Sequence, residues 1–550
     1  MNKSNFLPTI KSTFNKYFKI FLMASGLLAL GVVIFYIIAV SRGYYHMDCT
    51  DTILWAQAML DGKTIINPEF NYAGVIPFGG QLIMLPFVAI FGYGMKAQIM
   101  GMVLFALLFT AALVYFLKSI NMSWRWVSVT TAAVLLFTCS SEKMREIFWC
   151  HIIYYSLGLL FLFVGLGLVF NMLKQDKISV KYYIILFIWT MFCSTNASSS
   201  LTLYTAPVIG AVIAERFLDT DTPFWSKKNS KHGIIILVMG AAVIAGYILS
   251  KLIIGSVTAG HQNVYSTFEG MGTWVSNFLN ILPGILSLCG VGVTFEAIFS
   301  LEGIVILLRI VIILVVIITP IVMLFRINRY KEREYKIMIL VHGIVFVLQI
   351  MGWVVGRLND CNWRLSPLVI SSVILCVMEI RRLYKKGSSF RFSMVLIIPM
   401  AIGMMFFASE VHTDYCKGKT LKNERLESIA DFLESENLDF GYATFWHSNI
   451  ITLLTESEIM IAPIDQHYGN IFILEYQSND NWYTDNERDE YFILLTNEEY
   501  KAYMASTYYI EPDEVLTHEK YYVLLYDYNV IQDLNTKYEA EYGDSAEYVK

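Results

Sequence analysis

Eleven long apolar runs constrain this chain more than any other feature of its 550 residues. A membrane-spanning helix needs about 20 mostly apolar residues, because the bilayer core is about 30 Å thick and each residue rises about 1.5 Å. Such runs lie near 20–40, 96–117, 125–141, 148–172, 181–195, 199–215, 233–254, 303–325, 337–355, 364–380 and 392–409. The fifth and sixth are short and close together. Composition agrees: 56% of residues are hydrophobic and 16% are charged, where a soluble protein carries about 25% charge. An ordinary soluble enzyme, a disordered chain and a collagen-like fibre are excluded.

The net charge of −5 conceals a split. Residues 1–409 hold 32 Lys+Arg against 17 Asp+Glu, and residues 410–550 hold 9 against 29. The division predicts a polytopic α-helical membrane domain over 1–409 and an acidic α/β domain over 410–550. Alternating the runs across the membrane puts the amino-terminal tail and loops 118–125, 173–181, 215–232, 326–336 and 381–391 on one side, with 23 Lys+Arg. The opposite loops hold 8. Positive charge marks the cytoplasmic side, so the amino terminus is expected inside and the carboxyl-terminal domain outside, on a cytoplasmic membrane. The first run is too long for a signal-peptide core. The eight cysteines are scattered without CxxC or Cys/His metal spacing. A disulfide is permitted outside, and Cys49 with Cys361 is one conceivable pair.

Two outer loops are long. Loop 42–95 opens Gly43-Tyr-Tyr-His-Met-Asp48-Cys-Thr-Asp51. Apolar residues at 53, 54, 58, 59 and 60 predict an amphipathic helix, with Gly62 at its C-cap. A second apolar helix, over 81–91, is too short to span and is expected in the interface. Loop 255–301 carries His261, Tyr265, Glu269, Trp274 and Glu296 and reads as a cover over a cavity. Shorter outer segments bring Glu142, Lys143, Arg145, Glu146 and His151, and then Arg357, Asp360, Trp363 and Arg364. Acids and arginines thus gather on one face. Arginine pairs with phosphate bidentately, and a carboxylate can take a proton.

Each candidate has a plain structural reading as well. Asp48-x-x-Asp51 resembles a capping box at a helix start. Glu142 and Glu146, four apart, can form a salt-bridged helix start. His151 can be packed in a core. Trp363 and Arg364 can anchor the interface. Arg309 lies inside a span, where charge is costly and usually functional, or it snorkels. In the tail a helix is expected over 421–436, an apolar helix over 450–454, and strands over 440–445, 458–464, 491–495 and 521–526. Trp446, His447 and Asn449 follow a strand end.

The first outer loop resembles that of the GT-C superfamily of glycosyltransferases, which includes protein O-mannosyltransferases and the lipid A aminoarabinose transferase. Asp48, Met59-Leu60, Gly62 and Pro68 fall in register with that family's loop. The helix count and outer tail resemble it too. Cys49 stands where a second acid is usual, and Asp51 is the nearest replacement. The resemblance implies a polyprenyl-phosphate sugar donor and an extracytoplasmic glycan, lipid or protein acceptor. It implies Asp48 as the catalytic base with Asp51 as the second acid, Glu142 and Glu146 as second-loop acids at the substrate, and Arg364 in a family-like Arg-Leu-x-Pro segment; Arg357, His151 and His261, on the same outer face, are further substrate-binding candidates. No cofactor is implied with certainty, a divalent metal stays open, and nucleic acid is not an expected partner. A transporter of lipid-linked sugars would show internal repeats and broken, charged helices; no repeat is visible, and Arg309 is the only clear intramembrane charge. A non-catalytic envelope scaffold with a binding tail is the other alternative.

Overall fold

The computed structural model describes residues 6–218, 230–257, 267–292, 296–385, 390–417, 424–484 and 487–542. Among them, nine helices are long and apolar enough to cross a membrane. Shorter apolar helices cover Gln81–Phe91, Trp124–Phe137 and Val180–Ser194. The nine, with the last two of these, match the eleven runs. The chain is a multi-pass membrane protein.

The helices that build the site come early: α1 (Phe6–Ala39), α2 (Asp51–Gly62), α3 (Gln81–Phe91), α4 (Met95–Ser119), α5 (Trp124–Phe137), α6 (Glu142–Trp149), α7 (Tyr154–Leu173) and α8 (Val180–Ser194). Close approach of α1 to α5 rests on Gly26, whose N–H donates to Ser128 Oγ at 2.8 Å. A Cβ there would meet the Ser128 carbonyl at 3.0 Å. The run 148–172 is not one helix. Phe148 and Trp149 end α6, and α7 begins only at Tyr154. Between them the Gln98 side chain donates to the Cys150 carbonyl at 2.7 Å, a backbone acceptor that a continuous helix would have used itself, and to the Cys49 carbonyl of the first outer loop at 3.3 Å.

The tail is an α/β domain, as expected. It holds β2 (Phe440–Thr444), β3 (Met460–His467), β4 (Asn470–Ile473), β6 (Tyr491–Thr496), β7 (Glu514–His518) and β8 (Tyr521–Tyr526) in the order β4-β3-β2-β6-β8-β7. β2 runs parallel to β3 and β6, and the other pairings are antiparallel. Tyr442, Ile464, Ile493 and Leu524 enter one apolar cluster, and Ala443, Ile461, Phe492 and Val523 the other. Both faces are therefore covered, which is why these strands read as unbroken apolar runs. A second, two-stranded sheet joins loop 42–95 to the tail. Its strands β1 (Phe70–Asn71) and β5 (Ser478–Asn479) pair antiparallel across some 400 positions of sequence.

Candidate active site

After α1 the chain makes a 3-10 turn over Ser41–Tyr44, runs extended through Tyr45 and His46 (φ −142°, ψ 179°), and makes a second 3-10 turn over Met47–Thr50 before α2 begins at Asp51. The capping-box reading of Asp48 therefore fails: Asp48 lies inside the turn, Thr50 is the N-cap, and no side chain caps the helix. Gly62 is the last helical residue, and Lys63 takes the left-handed C-cap position at φ 50°. Gly62 serves packing instead, since a Cβ there would stand 2.6 Å from the Asn67 side chain.

Asp48 is 47% exposed on its side chain. Its nearest charged neighbour is His46, with Nδ1 at 3.9 Å from Oδ2, beyond hydrogen-bond reach. Half of the carboxylate is open to solvent, but the surrounding protein is dense. Burial therefore raises its pKa above the usual carboxylate range; Glu146 raises it further, and His46 and Lys143 oppose both.

Helix α6 supplies those neighbours. Ser141 Oγ caps it by accepting from Met144 N at 3.0 Å, and donates to the Leu288 carbonyl at 2.6 Å. Lys143 Nζ donates to Glu146 Oε1 at 2.6 Å, and His46 Nε2 stands 3.1 Å from the same oxygen. Burial works against charge on Glu146, but His46 and Lys143 outweigh it and hold the carboxyl at about 2. His46 is moved the other way. Burial opposes its charge, while Cys49 and Glu146 raise its pKa. Burial also pushes the Cys49 thiol well up, so at neutral pH the Glu146 carboxylate is the charged partner that keeps His46 protonated. His151 is buried, and neither ring nitrogen has a hydrogen-bond partner among the described residues. Burial lowers its pKa to about 4 against the pull of Glu146. Glu142 lies in the first turn of α6, where a carboxylate complements the helix dipole.

The arginine segment reaches the same place. Lys143 Nζ sits 4.7 Å from the centre of the Trp363 ring. The charges of Arg364, Asp360, Lys143 and Asp48 all act on the Cys361 thiol, outside the membrane helices. Arg364 is buried and donates to the Arg357 carbonyl at 2.6 Å, while Gln349 Nε2 donates to the Arg364 carbonyl at 3.0 Å. Arg357 is more open, with its Nε 3.7 Å from Glu269 and 3.8 Å from Asp360. Loop 255–301 thus contributes Glu269 and short helices at Trp274–Leu279 and Ile281–Leu288. His261 and Tyr265 lie outside the described residues.

Asp51 has a different setting. Its Oδ1 accepts from Gln477 Nε2 at 2.5 Å, and Gln477 Oε1 accepts from Trp55 Nε1 at 2.9 Å. The Gln477 backbone carbonyl accepts from Asn449 Nδ2 at 2.7 Å, and Tyr93 OH donates to the Asn449 carbonyl at 2.9 Å. Burial, with Asp48 nearby, pushes the Asp51 carboxyl well up against the bond from Gln477. The structure thus brings Asp48, Glu146, His151, Arg357 and Arg364 into one region with Lys143, and it ties Asp51 to the tail. Sequence reasoning missed His46, Lys143 as a partner, and Gln477. His46 and Lys143 sit beside named candidates, two residues before Asp48 and three before Glu146. Gln477 carried no local signal. All eight cysteines are unpaired, so no Cys49–Cys361 disulfide is present. No group of three or more His, Cys, Asp or Glu side chains suited to a metal occurs among the described residues.

A bundle of apolar helices, a first loop carrying short helices and a sheet domain after the last helix make up the fold. It is similar to the crystal structure of ArnT from Cupriavidus metallidurans bound to undecaprenyl phosphate, at a TM-score of 0.52 and 12% sequence identity. The match covers 92% of this chain and 97% of that one. The likeness is one of fold. No family model and no curated protein matches the sequence.

Proposed function

We propose that the protein is a membrane glycosyltransferase that moves a sugar from a polyprenyl-phosphate donor to an acceptor on the extracytoplasmic side, with Asp48 as the base. The observation that carries this reading is the Asp48 carboxylate: half open, without a hydrogen-bond partner among the described residues, and raised above the usual carboxylate range by burial. A base works best when its pKa approaches the working pH. The fold supports the lipid-phosphate donor, since the ArnT structure is bound to undecaprenyl phosphate.

In this reading Asp48 takes the proton of an acceptor hydroxyl. The hydroxyl oxygen forms its bond to the anomeric carbon from the face opposite the phosphate. The anomeric carbon–oxygen bond breaks, configuration inverts, and polyprenyl phosphate leaves with the electron pair. Its developing charge needs cations. Lys143 and Arg357 are partly exposed, and Arg364 is set behind them as a buried brace. Glu146, held ionised, keeps His46 charged beside Asp48. With that side outward, the amino terminus is cytoplasmic and the acidic domain covers the outer face.

The test is transfer by purified protein in nanodiscs, given a panel of undecaprenyl-phosphate-linked hexoses and outer-surface glycan. Asp48→Asn should lower turnover about 10²–10⁴-fold without changing the thermal midpoint. Wild-type turnover by that variant would remove Asp48 from the role.

A further inference from the structure

The tail domain places one large side chain against the candidate base. β2 ends at Thr444, and Phe445–His447 make a 3-10 turn. Ligands of parallel strands gather at their carboxyl ends, and Trp446 stands there, 58% exposed. Its ring centre is 6.4 Å from that of His46, at an interplanar angle of 50°. His46 in turn is 3.9 Å from Asp48. An open indole face therefore lies one side chain away from an open carboxylate.

The indole is braced from behind. Phe445 packs edge-on to Trp446 at 5.2 Å and meets Tyr476 at 5.3 Å. The next residue, Gln477, holds Asp51 and Trp55. The segment that ties the tail to the first loop thus also supports Trp446, and fixes its position relative to Asp48. A large aromatic face beside unspent carboxylate oxygens is the chemistry that recognises a sugar ring. The axial C–H groups of a pyranose pack on the indole, which offers wide apolar contact at low entropic cost. The ring hydroxyls meet the carboxylate.

Resting on the function proposed above, we propose that Trp446 is the stacking platform for a pyranose acceptor, so that the substrate receiving the sugar is a carbohydrate. Saturation-transfer NMR on the nanodisc-embedded protein, with soluble oligomers of glucose and of N-acetylglucosamine as probes, tests this directly. Wild type should bind at least one probe; Trp446→Ala should weaken that binding about tenfold and Trp446→Phe should restore most of it. Asp48→Asn, which lowers turnover, should keep most of the binding, because the amide still meets the ring hydroxyls. In the transfer assay Trp446→Ala should raise acceptor KM with little change in kcat, and binding of undecaprenyl phosphate should not move. Absence of oligosaccharide binding by wild type, or equal binding by Trp446→Ala, overturns the proposal. So does a Trp446→Ala variant of the full-length protein whose only defect is a loss of tryptophan quenching by brominated lipid in the nanodisc. Oligosaccharide binding through Trp446 with no transfer from any donor would instead sink the transferase reading and leave the platform standing.

Discussion

Helix α6 separates two groups of charges that differ in how they are satisfied. On one side Arg145 pairs with Asp414 at the end of the last membrane helix and donates to the Cys139 carbonyl at 2.9 Å. Close by, Arg309 pairs with Glu410 and reaches the Gly290 carbonyl at 3.2 Å. Each cation has its own anion and a carbonyl as well. On the other side His46 and Lys143 share one oxygen of Glu146, while the side chains of Asp48 and His151 have no hydrogen bond among the described residues. The first group closes the bundle, and the second is left partly unspent. A buried charge set is stable when every member is paired; one with spare acceptors is suited to receive a ligand.

The closed group should break most severely. Arg145→Met leaves the buried Asp414 carboxylate with only the exposed Lys417, its Nζ 3.9 Å away, as a cation, and loss of one partner of a buried pair costs about 3–5 kcal/mol. The thermal midpoint of the protein in nanodiscs should collapse. Arg145→Met combined with Asp414→Leu should recover most of it, because the unpaired charge is gone. A single variant as stable as wild type would show that the pair carries no closure.

The open group should answer to pH instead. The His151 pKa is lowered to about 4 in the folded protein, against about 6.5 unfolded. A depressed imidazole contributes stability that is fully present above the unfolded value and lost as pH falls through the folded one. Stability should therefore decline between about pH 6.5 and 4, by up to about 3 kcal/mol. Glu146, held at about 2, adds its own loss only below about pH 4.5. His151→Phe should flatten the upper part of the curve and leave the lower part. An unchanged profile in that variant would take His151 out of the pH response.

Much of this was legible in the chain. The apolar runs mark the bundle because a bilayer leaves helices few alternatives. Asp48 drew notice through its register with a loop pattern, and loss of its capping role in the structure frees it for chemistry. What the sequence hid is long-range pairing. Arg309 was visible as an intramembrane charge, but its partner Glu410 lies 101 residues away. The helix break at Cys150–Ile153 depends on Gln98, which no local pattern marks. In the tail, β4 and β7 escaped notice because their segments are short and β7 is largely exposed.

The joint between loop and tail lies between the two groups and should give the smallest effect on stability. Gln477 satisfies Asp51 and Trp55 at once, through opposite ends of one amide. Gln477→Ala leaves the Trp55 N–H without its acceptor and Asp51 without its donor, at a cost of about 1–3 kcal/mol. Burial already favours the neutral Asp51 carboxyl, so the lost donor adds little charge penalty and the bundle should stay folded. Its consequence should fall on acceptor use, since Tyr476 next to it braces the Phe445–Trp446 pair. A raised acceptor KM with a near-normal midpoint is the expected pairing. A collapsed midpoint with unchanged KM in the surviving protein would mean that the tail holds the bundle together and takes no part in presenting the acceptor.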